Sequence, residues 1–384
     1  MQRRATGVVD CITAERPGAQ ELLVRLFDEA LPDRDASQSS DQGRMRLRPA
    51  INLLALNAPV SVGQRVLINT AAVEMGLGTG GFDFVVCPLD TPGLDESPTG
   101  HVMKLRYTPL QTPVLSVEAP ESQHHATIFS FDNLNQCPVV CAELHSQVPA
   151  ICAAARWGLR EAAWPHEPRI VYIMTDGGAL PMALSRLVPA MKAAGLIQAT
   201  LTSGQAFGGD YEAVNLYSAL AAARTVCRAD VIVVAQGPGS VGTDTPLGFS
   251  GIEQGLAINA TGSLGGIPIV AARISFADPR DRHHAVSHHT LTVLKRVALV
   301  PALVAVPRLP PEQLRVVCEI LEDAPIRNMH QTVVVTSDRA LEDFKRTNLD
   351  VTTMGRGVNE DRALFLAATA AGLLAAQVVE AGLA

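Results

Sequence analysis

Arg169-Ile170-Val171-Tyr172-Ile173-Met174 is a nearly continuous apolar run, and the small and polar residues Thr175-Asp176-Gly177-Gly178 follow it directly. A short apolar run that ends at a turn signal predicts a strand buried on both faces. A helix-like pattern then covers residues 181–194. This strand–loop–helix unit is typical of a parallel sheet with helices packed on its faces.

The same alternation continues from residue 138 to the end of the chain. It predicts a mostly parallel, doubly wound (Rossmann-like) α/β sheet in a domain of residues 136–384. The predicted strands cover residues 138–143, 169–174, 198–202, 231–235, 268–274, 303–306, 332–336 and 350–354. The predicted helices cover residues 146–160, 181–194, 211–228, 252–261, 287–298, 311–323, 339–346 and 359–381.

The N-terminal part of the chain has a different pattern. Short strand-like runs alternate with Gly, Pro and Asp clusters, which predicts a small β-barrel domain over residues 1–115. One of these strands is predicted at residues 21–26, with a short helical run over residues 19–27 as the alternative, and the Ser- and Asp-rich residues 33–43 are expected to form a mobile loop. Residues 116–135, rich in Pro, Glu, Ser, Gln and His, are assigned to a linker.

Composition limits the classes of function. Of the 384 residues, 47% are hydrophobic and only 18% are charged, which favours a well-buried globular core over disorder. The net charge of −7 and the lack of a basic stretch argue against nucleic-acid binding. We find no signal peptide and no apolar span of 18 residues, so we expect a cytoplasmic protein without a membrane partner. The seven scattered cysteines are expected to be reduced core thiols.

Four predicted strands end in loops rich in Gly, Asp, Ser, Thr or His. Ligands of open parallel sheets bind outside the carboxyl ends of the strands, so these loops are candidate walls of one pocket. Asp176 follows the second predicted strand, and Asp210 lies in the loop after the third. Both are candidate catalytic carboxylates. The competing interpretation is that each only caps a helix.

The loop after the fourth strand, residues 237–245, is called here the glycine loop. Glycine lets backbone N–H groups approach an anion closely, and threonine hydroxyls add donors. The loop does not end in the lysine that a P-loop requires. It also lacks the helix directly after the glycines and the acidic residue further along the chain that the dinucleotide-binding fingerprint requires. A glycine-rich turn without a ligand stays an alternative. The candidate anion- or cofactor-binding residues are Gly237, Gly239, Ser240, Gly242, Thr243 and Thr245.

Four of the ten histidines lie within seven residues after the apolar run of residues 267–274. Histidine is the commonest metal ligand and titrates near neutral pH. Ser287 is a plausible N-cap, which would place two histidines in the first turn of a helix. Structural histidines are the competing interpretation. The candidate ligands of a divalent metal are His283, His284, His288, His289 and Asp278, and His284 and His288 are also candidate catalytic residues.

Several motifs also resemble a known family. The motifs are Tyr172-Ile173-Met174-Thr175-Asp176-Gly177-Gly178-Ala179-Leu180-Pro181, Gly208-Gly209-Asp210-Tyr211-Glu212-Ala213-Val214-Asn215, Gly237-Pro238-Gly239-Ser240-Val241-Gly242-Thr243 and Ser287-His288-His289-Thr290. They resemble the bacterial "domain of unknown function 3866" family over nearly the whole chain, including Gly78-Thr79-Gly80-Gly81. The resemblance implies a bacterial cytoplasmic protein and implies no particular activity.

Three functions follow as expectations. The first is an enzyme, a metal-assisted hydrolase or transferase, that binds a small anionic or phosphorylated molecule at the carboxyl edge of the sheet. The second is a non-catalytic sensor of a nucleotide-like ligand, and the third is a structural or interaction protein. A homo-oligomer is compatible with all three. No Gly-x-Ser-x-Gly motif is present, which disfavours a serine hydrolase.

Overall fold

The structure is a computed structural model, and it describes residues 3–27, 46–78, 80–90 and 100–382. The chain divides into two compact units. The first comprises Met1–Pro98 and Thr108–Thr112, and the second comprises Thr99–Tyr107 and Pro113–Ala384. The predicted boundary at residue 115 lies close to Thr112, and the residues assigned to a linker, 116–135, belong to the second unit.

The first unit contains a closed five-stranded barrel, which confirms the predicted small barrel. Its order is β1-β2-β3-β5-β4, and closure removes the free strand edges. Val9, Leu22, Val24, Val66 and Ile68 fill its interior. The elements are β1 (Arg4–Arg16), β2 (Ala19–Leu26), β3 (Leu47–Leu53), β4 (Arg65–Asn69), α1 (Ala71–Glu74) and β5 (Asp83–Pro88).

The strand predicted at residues 21–26 is confirmed, and the alternative of a helical run at residues 19–27 is wrong. These residues form β2, in which Leu22 pairs with Ile12 of β1 on one side and with Ala50 of β3 on the other. Pairing on both sides outweighs a weak local helical pattern. The predicted mobile loop at residues 33–43, and Thr79 of the glycine run near residue 80, lie outside the described residues.

The second unit is built on an eight-stranded, all-parallel sheet, as predicted. The order is β11-β10-β9-β12-β8-β13-β16-β17. Most of its strands are buried along their length, which explains why they appear in the sequence as continuous apolar runs. From β6 onward the strands are β6 (Val102–Lys104), β7 (Thr112–Val114), β8 (Pro138–Ala142), β9 (Ile170–Thr175), β10 (Ala199–Thr202), β11 (Tyr211–Glu212), β12 (Val231–Gln236), β13 (Ile267–Ala271), β14 (Ile274–Ser275), β15 (Ala285–Val286), β16 (Leu303–Pro307) and β17 (Gln331–Val335).

Helices cover both faces of this sheet. Helices α3, α10 and α11 pack together on one face, whereas α5, α6 and a π-helical turn at Val293–Val297 pack together on the other. The helices are α2 (His125–Phe129), α3 (Val148–Glu161), α4 (Leu187–Ala193), α5 (Leu216–Thr225), α6 (Glu253–Ser263), α7 (His288–Thr292), α8 (Pro311–Leu321), α9 (Ala324–Arg327), α10 (Asp338–Arg346) and α11 (Arg362–Glu380).

The strand predicted at residues 350–354 is wrong. Met354 and Gly355 adopt positive φ angles of 51° and 77°, and a single bridge joins Thr353 to Arg356. These residues therefore form a tight turn, and the Thr353 hydroxyl donates to Ser146 Oγ over 2.7 Å. A left-handed pair of residues interrupts an extended strand, whatever the strand propensity of its neighbours.

Among the described helices, α11 alone has the length and apolar composition of a membrane span. The expectation that the chain has no such apolar span is therefore wrong. However, 89% of that span is buried inside the fold, where α11 packs on α3 and on the sheet. A helix that is apolar on all sides is also typical of a protein core, and its contacts explain the composition here.

Candidate functional site

The candidate site lies where the chain reverses its direction across the sheet. β8 is flanked by β12 and β13, and the chain leaves β8 toward one edge but leaves β12 toward the other. Such a switch opens a crevice at the carboxyl ends of the strands. Three buried polar residues end these strands: Glu143 follows β8, Gln236 closes β12 and Arg273 follows β13.

The four loops named from the sequence contact one another at this edge. Each loop meets the loop of a neighbouring part of the sheet, so together they form a continuous rim. The contacts are Gln205 N to Asp176 Oδ2 at 2.7 Å, Ala179 N to the Pro238 carbonyl at 2.9 Å, and the ion pair of Arg282 with Asp244 at 2.6 Å.

Two glycines make this close approach possible. A Cβ atom on Gly178 would lie 2.3 Å from the Gly237 carbonyl oxygen, and one on Gly237 would lie 2.3 Å from the Ala179 carbonyl oxygen. Both distances are far below van der Waals contact. The loops after β9 and β12 can therefore touch only because these positions carry no side chain.

The histidine segment, residues 283–289, is folded back on itself by a small hairpin. β14 pairs antiparallel with β15, which returns the chain to the edge of the sheet just before α7. Ser287 Oγ accepts the backbone N–H of His289 over 3.2 Å and so caps α7, as predicted. His283 therefore precedes β15, and His288 and His289 occupy the first turn of α7.

His283, His288 and His289, called here the histidine cluster, come together in space. One ring nitrogen from each lies within 4.8 Å of the others. The His288 and His289 ring centroids are 4.3 Å apart, and both rings lie about 5 Å from His283. The His289 ring also stacks on Phe249, with centroids 3.8 Å apart and planes 2° from parallel, which fixes its orientation.

Hydrogen bonds from neighbouring residues determine which ring nitrogens stay available. His289 Nδ1 donates to Glu143 Oε1 over 2.7 Å, which leaves Nε2 on the cluster side. Arg282 Nε donates to His283 Nε2 over 3.4 Å, so this nitrogen carries a lone pair, which a metal ion could bind only if Arg282 gave up this long hydrogen bond. His283 Nδ1 then donates to Ser287 Oγ over 2.8 Å. Such outer partners fix the tautomer of metal-binding histidines in known sites.

The third histidine has an unsatisfied nitrogen. His288 Nε2 is buried and has no hydrogen-bond partner among the described residues. Burial, and then the neighbouring His289, lower the pKa of His288. Burial and the charge of Arg273 lower the pKa of His283 to about 3. Both rings are therefore neutral at pH 7, the state in which imidazole binds metals.

A buried ion network supports the cluster from behind. Arg273 Nη1 donates to Glu143 Oε1 over 3.1 Å, and its Nη2 donates to Asp278 Oδ2 over 3.3 Å. Burial alone would raise the pKa of Glu143, but the hydrogen bond from His289 and the charge of Arg273 outweigh it and lower that pKa. Glu143 is therefore an ionised carboxylate inside the protein.

Two of the predicted metal ligands lie apart from the cluster. Asp278 is held by Arg273, Arg280 and Arg356, and the hydrogen bond from Arg280 contributes most to lowering its pKa. His284 is exposed, and its ring meets Phe276 edge-on at 5.2 Å. The short helical turn Asp281–His283 explains the second case, since it ends at the buried His283 and leaves the next residue at the surface.

Asp210 does not lie at the carboxyl edge. Its Oδ2 accepts the N–H and the hydroxyl of Thr200, both at 2.9 Å, near the amino end of β10, and Lys192 pairs with its Oδ1. The chain doubles back after β10 to form β11 parallel to it, which carries Asp210 away from the edge. The expected capping role is also wrong, because Asn215 caps α5.

Asp176 stays at the edge but outside the histidine cluster. Its Oδ2 accepts the Gln205 N–H, and α4 begins only at Leu187, so it caps no helix. It lies beside Glu253, whose carboxylate accepts the Thr175 hydroxyl. Burial raises the pKa of Glu253, and the charge of Asp176 raises it further.

The glycine loop is largely exposed, and its two threonine hydroxyls form hydrogen bonds within the same turn. Thr243 Oγ1 donates to the Gly248 carbonyl over 2.9 Å, and Thr245 Oγ1 accepts the Gly248 N–H over 3.1 Å. Gly239 adopts a φ of 88° at an open turn. Among the predicted ligand residues, Gly237 is buried against the loop after β9, while Gly239, Ser240, Gly242, Thr243 and Thr245 are exposed.

Two central residues of the site were not singled out from the sequence. Glu143 was placed at the end of a predicted strand, and Arg273 inside an apolar run. Each is a charged residue at the carboxyl end of a buried strand, and that position was the available signal. Their partnership could not be predicted, because 130 residues separate them in the chain.

Comparison with known proteins gives a family. No curated protein and no solved structure matches the chain. A family described as "Protein of unknown function (DUF3866)" matches residues 49–372, most of the chain, which include the whole histidine cluster and Glu143. The chain therefore belongs to the DUF3866 family.

Proposed function

We propose that this protein is a metal-dependent enzyme whose histidine cluster binds a divalent transition-metal ion. The observation that carries the proposal is the convergence of three ring nitrogens, one of them buried without a partner, at the switch point of the sheet. A buried polar atom without a hydrogen-bond partner costs about 1–3 kcal/mol. A bound cation would offset that cost.

The donor set suits zinc and its chemical neighbours. Imidazole ligands favour Zn, Cu, Fe and Ni, and three protein ligands with one open position are typical of catalytic zinc sites. Tetrahedral zinc requires ligand nitrogens about 3.3 Å apart, so the three nitrogens, which now lie within 4.8 Å of one another, would move slightly closer. Among the described residues, no fourth His, Cys or carboxylate joins the three.

The surrounding residues support this role. Glu143 and Ser287 hydrogen-bond to the outer nitrogens of His289 and His283, as outer-sphere residues do in known metal sites. Outer partners of this kind hold the rings in place before a metal binds. A divalent ion held by the three histidines would have one open coordination position. There it would activate a water molecule or polarise a phosphoryl oxygen.

Arg282 favours a small anionic or phosphorylated substrate. Its Nε contacts the cluster at His283, and its Nη1 pairs with Asp244, whose side chain is 72% exposed. An exposed ion pair of this type contributes at most about 1 kcal/mol, so an anion can replace Asp244 at low cost. Hydrolysis or group transfer on such a substrate in the cytoplasm is the function we propose.

Metal binding is tested first, by titrating the metal-free protein with Zn²⁺ and Co²⁺. We expect one ion per chain and a tetrahedral Co²⁺ absorption spectrum. His288→Ala and His289→Ala should each weaken binding at least about 100-fold, since each removes one of three ligands. His284→Ala is the matched control, because this adjacent histidine lies outside the cluster, and it should leave affinity unchanged. Equal losses in all three variants would disprove the site.

Catalysis is tested separately with the metal-loaded protein. We expect hydrolysis of p-nitrophenyl phosphate or bis(p-nitrophenyl) phosphate that is lost on chelation and in His288→Ala. Inorganic phosphate that raises Tm only in the metal-loaded protein, without turnover of either ester, would instead support a sensor. If one metal ion binds per chain but neither ester turnover nor a phosphate-dependent rise in Tm is observed, the proposal of an anionic ligand is rejected.

A further inference from the structure

A second polar site lies beside Glu143, between the ends of β8 and β12 and the start of α6. It is a narrow crevice, and it leaves no room for a water molecule. We call it the oxygen-lined crevice because its polar lining consists of oxygen-bearing side chains. The polar residues are Glu143, Thr175, Gln236, Glu253 and Gln254, and small apolar residues complete the wall.

Three oxygen atoms of this lining have no hydrogen-bond partner among the described residues. They are Glu143 Oε2, Gln236 Oε1 and Gln254 Oε1, and each is fully buried. Their side chains are only 1%, 2% and 2% exposed. Buried polar atoms are almost always satisfied in native proteins, so three unsatisfied acceptors lining one crevice require an explanation.

The two amide groups cannot be reversed to supply donors. Gln254 Nε2 donates to the carbonyls of Cys141 and Ala271 over 2.8 and 3.2 Å, and Gln236 Nε2 donates to the Glu143 carbonyl over 3.0 Å. Reversing either amide would set its oxygen against a carbonyl oxygen. Backbone partners therefore fix both Oε1 atoms as the unpaired acceptors.

A carboxylate adds to the same surface. A Cβ atom on Gly177 would lie 2.6 Å from Glu253 Oε2 and 3.0 Å from Gln236 Oε1, so these two oxygens lie close to each other beside Gly177. The Thr175 hydroxyl donates to Glu253 Oε2 and turns its own oxygen toward the carboxylate. The lining thus presents many acceptors and no free donor of its own.

We propose that the oxygen-lined crevice binds one dehydrated alkali-metal cation smaller than a water molecule, Na⁺ or Li⁺ and not K⁺. A cation is the ligand that satisfies several acceptors at once without bringing acceptors of its own. Because water does not fit, Mg²⁺ is disfavoured, since it usually keeps several water ligands. Amide and carboxylate oxygens can replace the weaker hydration shell of a monovalent ion.

The charge balance also favours a single positive charge. Glu143, Asp278 and Asp361 are balanced within their network by Arg273, Arg280 and Arg356. Glu253 is left as the one additional carboxylate of the crevice wall. A divalent ion would bring one positive charge more than the lining itself supplies, and only Asp176, which lies beside Glu253 outside the lining, could balance it.

The two sites would share one side chain. Glu143 directs Oε1 to His289 and leaves Oε2 for the oxygen-lined crevice. A cation in the crevice would therefore restrain the carboxylate that orients His289. This proposal stands on the unpaired oxygens alone and does not depend on metal binding by the histidine cluster.

The test is thermal unfolding of the full chain in NaCl, KCl, LiCl and choline chloride at matched ionic strength. We expect one alkali ion to raise Tm along a saturable curve, by about 5 °C at 100 times its Kd, and choline to have no saturable effect. The same curve in all four salts would overturn the proposal. Saturation by micromolar Ca²⁺ in place of alkali ions would overturn the monovalent assignment.

Variants locate the effect. Glu253→Gln should weaken the ion response at least 10-fold, and Gln254→Met, which removes one unpaired oxygen, should weaken it as well. Glu167→Gln is the matched control, because this exposed carboxylate pairs with Arg160 at the surface. His288→Ala should keep the response, which separates this site from the histidine cluster.

One simpler explanation is decided by the same variants. A protonated Glu253 could donate to Gln236 Oε1 without any cation. In that case Glu253→Gln would keep the stability of the parent protein, and no alkali ion would act differently from choline. That result would overturn the proposal even though the variant folds.

Discussion

The glycine loop and the buried polar residues that follow β8 and β13 lie at the same edge of one sheet, yet they differ in how their polar atoms are satisfied. Thr243 and Thr245 in the loop bond to Gly248 in their own turn. By contrast, Glu143 and His288 bond across the fold or keep buried atoms without partners.

This difference shows where ligand chemistry is to be sought. A loop rich in glycine and threonine has the residue types of an anion site, but its threonine hydroxyls form hydrogen bonds within the turn. The buried group has fewer residues, but it keeps lone pairs without partners. A cation is the kind of ligand that accepts such lone pairs. Unsatisfied atoms, more than residue types, distinguish the two regions.

The largest expected effect comes from breaking the buried ion network. Glu143→Leu should lower the free energy of unfolding by about 3–5 kcal/mol, because it leaves Arg273 buried with one carboxylate fewer. Asp244→Ala, which breaks the exposed pair with Arg282 at the glycine loop, should cost at most about 1 kcal/mol. Urea unfolding measures both.

A double variant checks the cause. Glu143→Leu combined with Arg273→Met removes both charges facing each other and should recover part of the loss. If Glu143→Leu lowers the free energy of unfolding no more than Asp244→Ala does, the buried region contributes no more to stability than the exposed one.

An effect of intermediate size on stability is expected when a change of pH protonates His145, which follows β8. Its Nδ1 lies 3.0 Å from the Tyr172 hydroxyl and its Nε2 lies 2.7 Å from Ser185 Oγ. Burial lowers the pKa of His145 from 6.5 to about 4. The unfolded state therefore binds this proton first, so the stability contribution is complete above pH 6.5 and is lost as pH falls toward 4.

The size of that loss is about 3 kcal/mol. His145→Gln keeps a polar side chain but removes the titration, so its urea-unfolding stability should depend less on pH between 7 and 4 than that of the parent protein. Parallel pH curves for the two proteins would contradict the assignment to His145, since other buried histidines are common to both.

The smallest effect is expected in the glycine loop itself. Thr243→Ala and Thr245→Ala should each cost at most about 1 kcal/mol, because they remove hydrogen bonds in an exposed turn. Neither should change the affinity for Zn²⁺ or inorganic phosphate in the binding assays above. A 10-fold loss of phosphate affinity would restore the loop as an anion site and remove the contrast.

Much of the fold could be predicted from the sequence. Parallel strands buried on both faces leave continuous apolar runs, so seven of the eight sheet strands were located closely. The exception, β11, has two residues and no apolar run. Residues 350–354 have strand-like composition, but their backbone turns left-handed at Met354, which local patterns do not reveal.

The candidate site could be predicted only in part. The clustering of histidines in the sequence pointed to His283, His288 and His289, and Ser287 was recognisable as a cap. His284 could not be separated from its neighbours, because inward or outward direction depends on the short turn Asp281–His283 that precedes β15. Glu143 enters the site because β8 pairs with β13, a contact between distant parts of the chain.

The sequence by itself determined the layered α/β architecture, the small barrel, and the edge of the sheet at which polar residues gather. Periodicity and strand-end position are local properties, and local sequence records them. Only the tertiary structure decided which polar atoms find partners and which stay buried without one. Satisfaction of a hydrogen bond depends on atoms that the fold brings together from positions over 100 residues apart, such as Glu143 and His289.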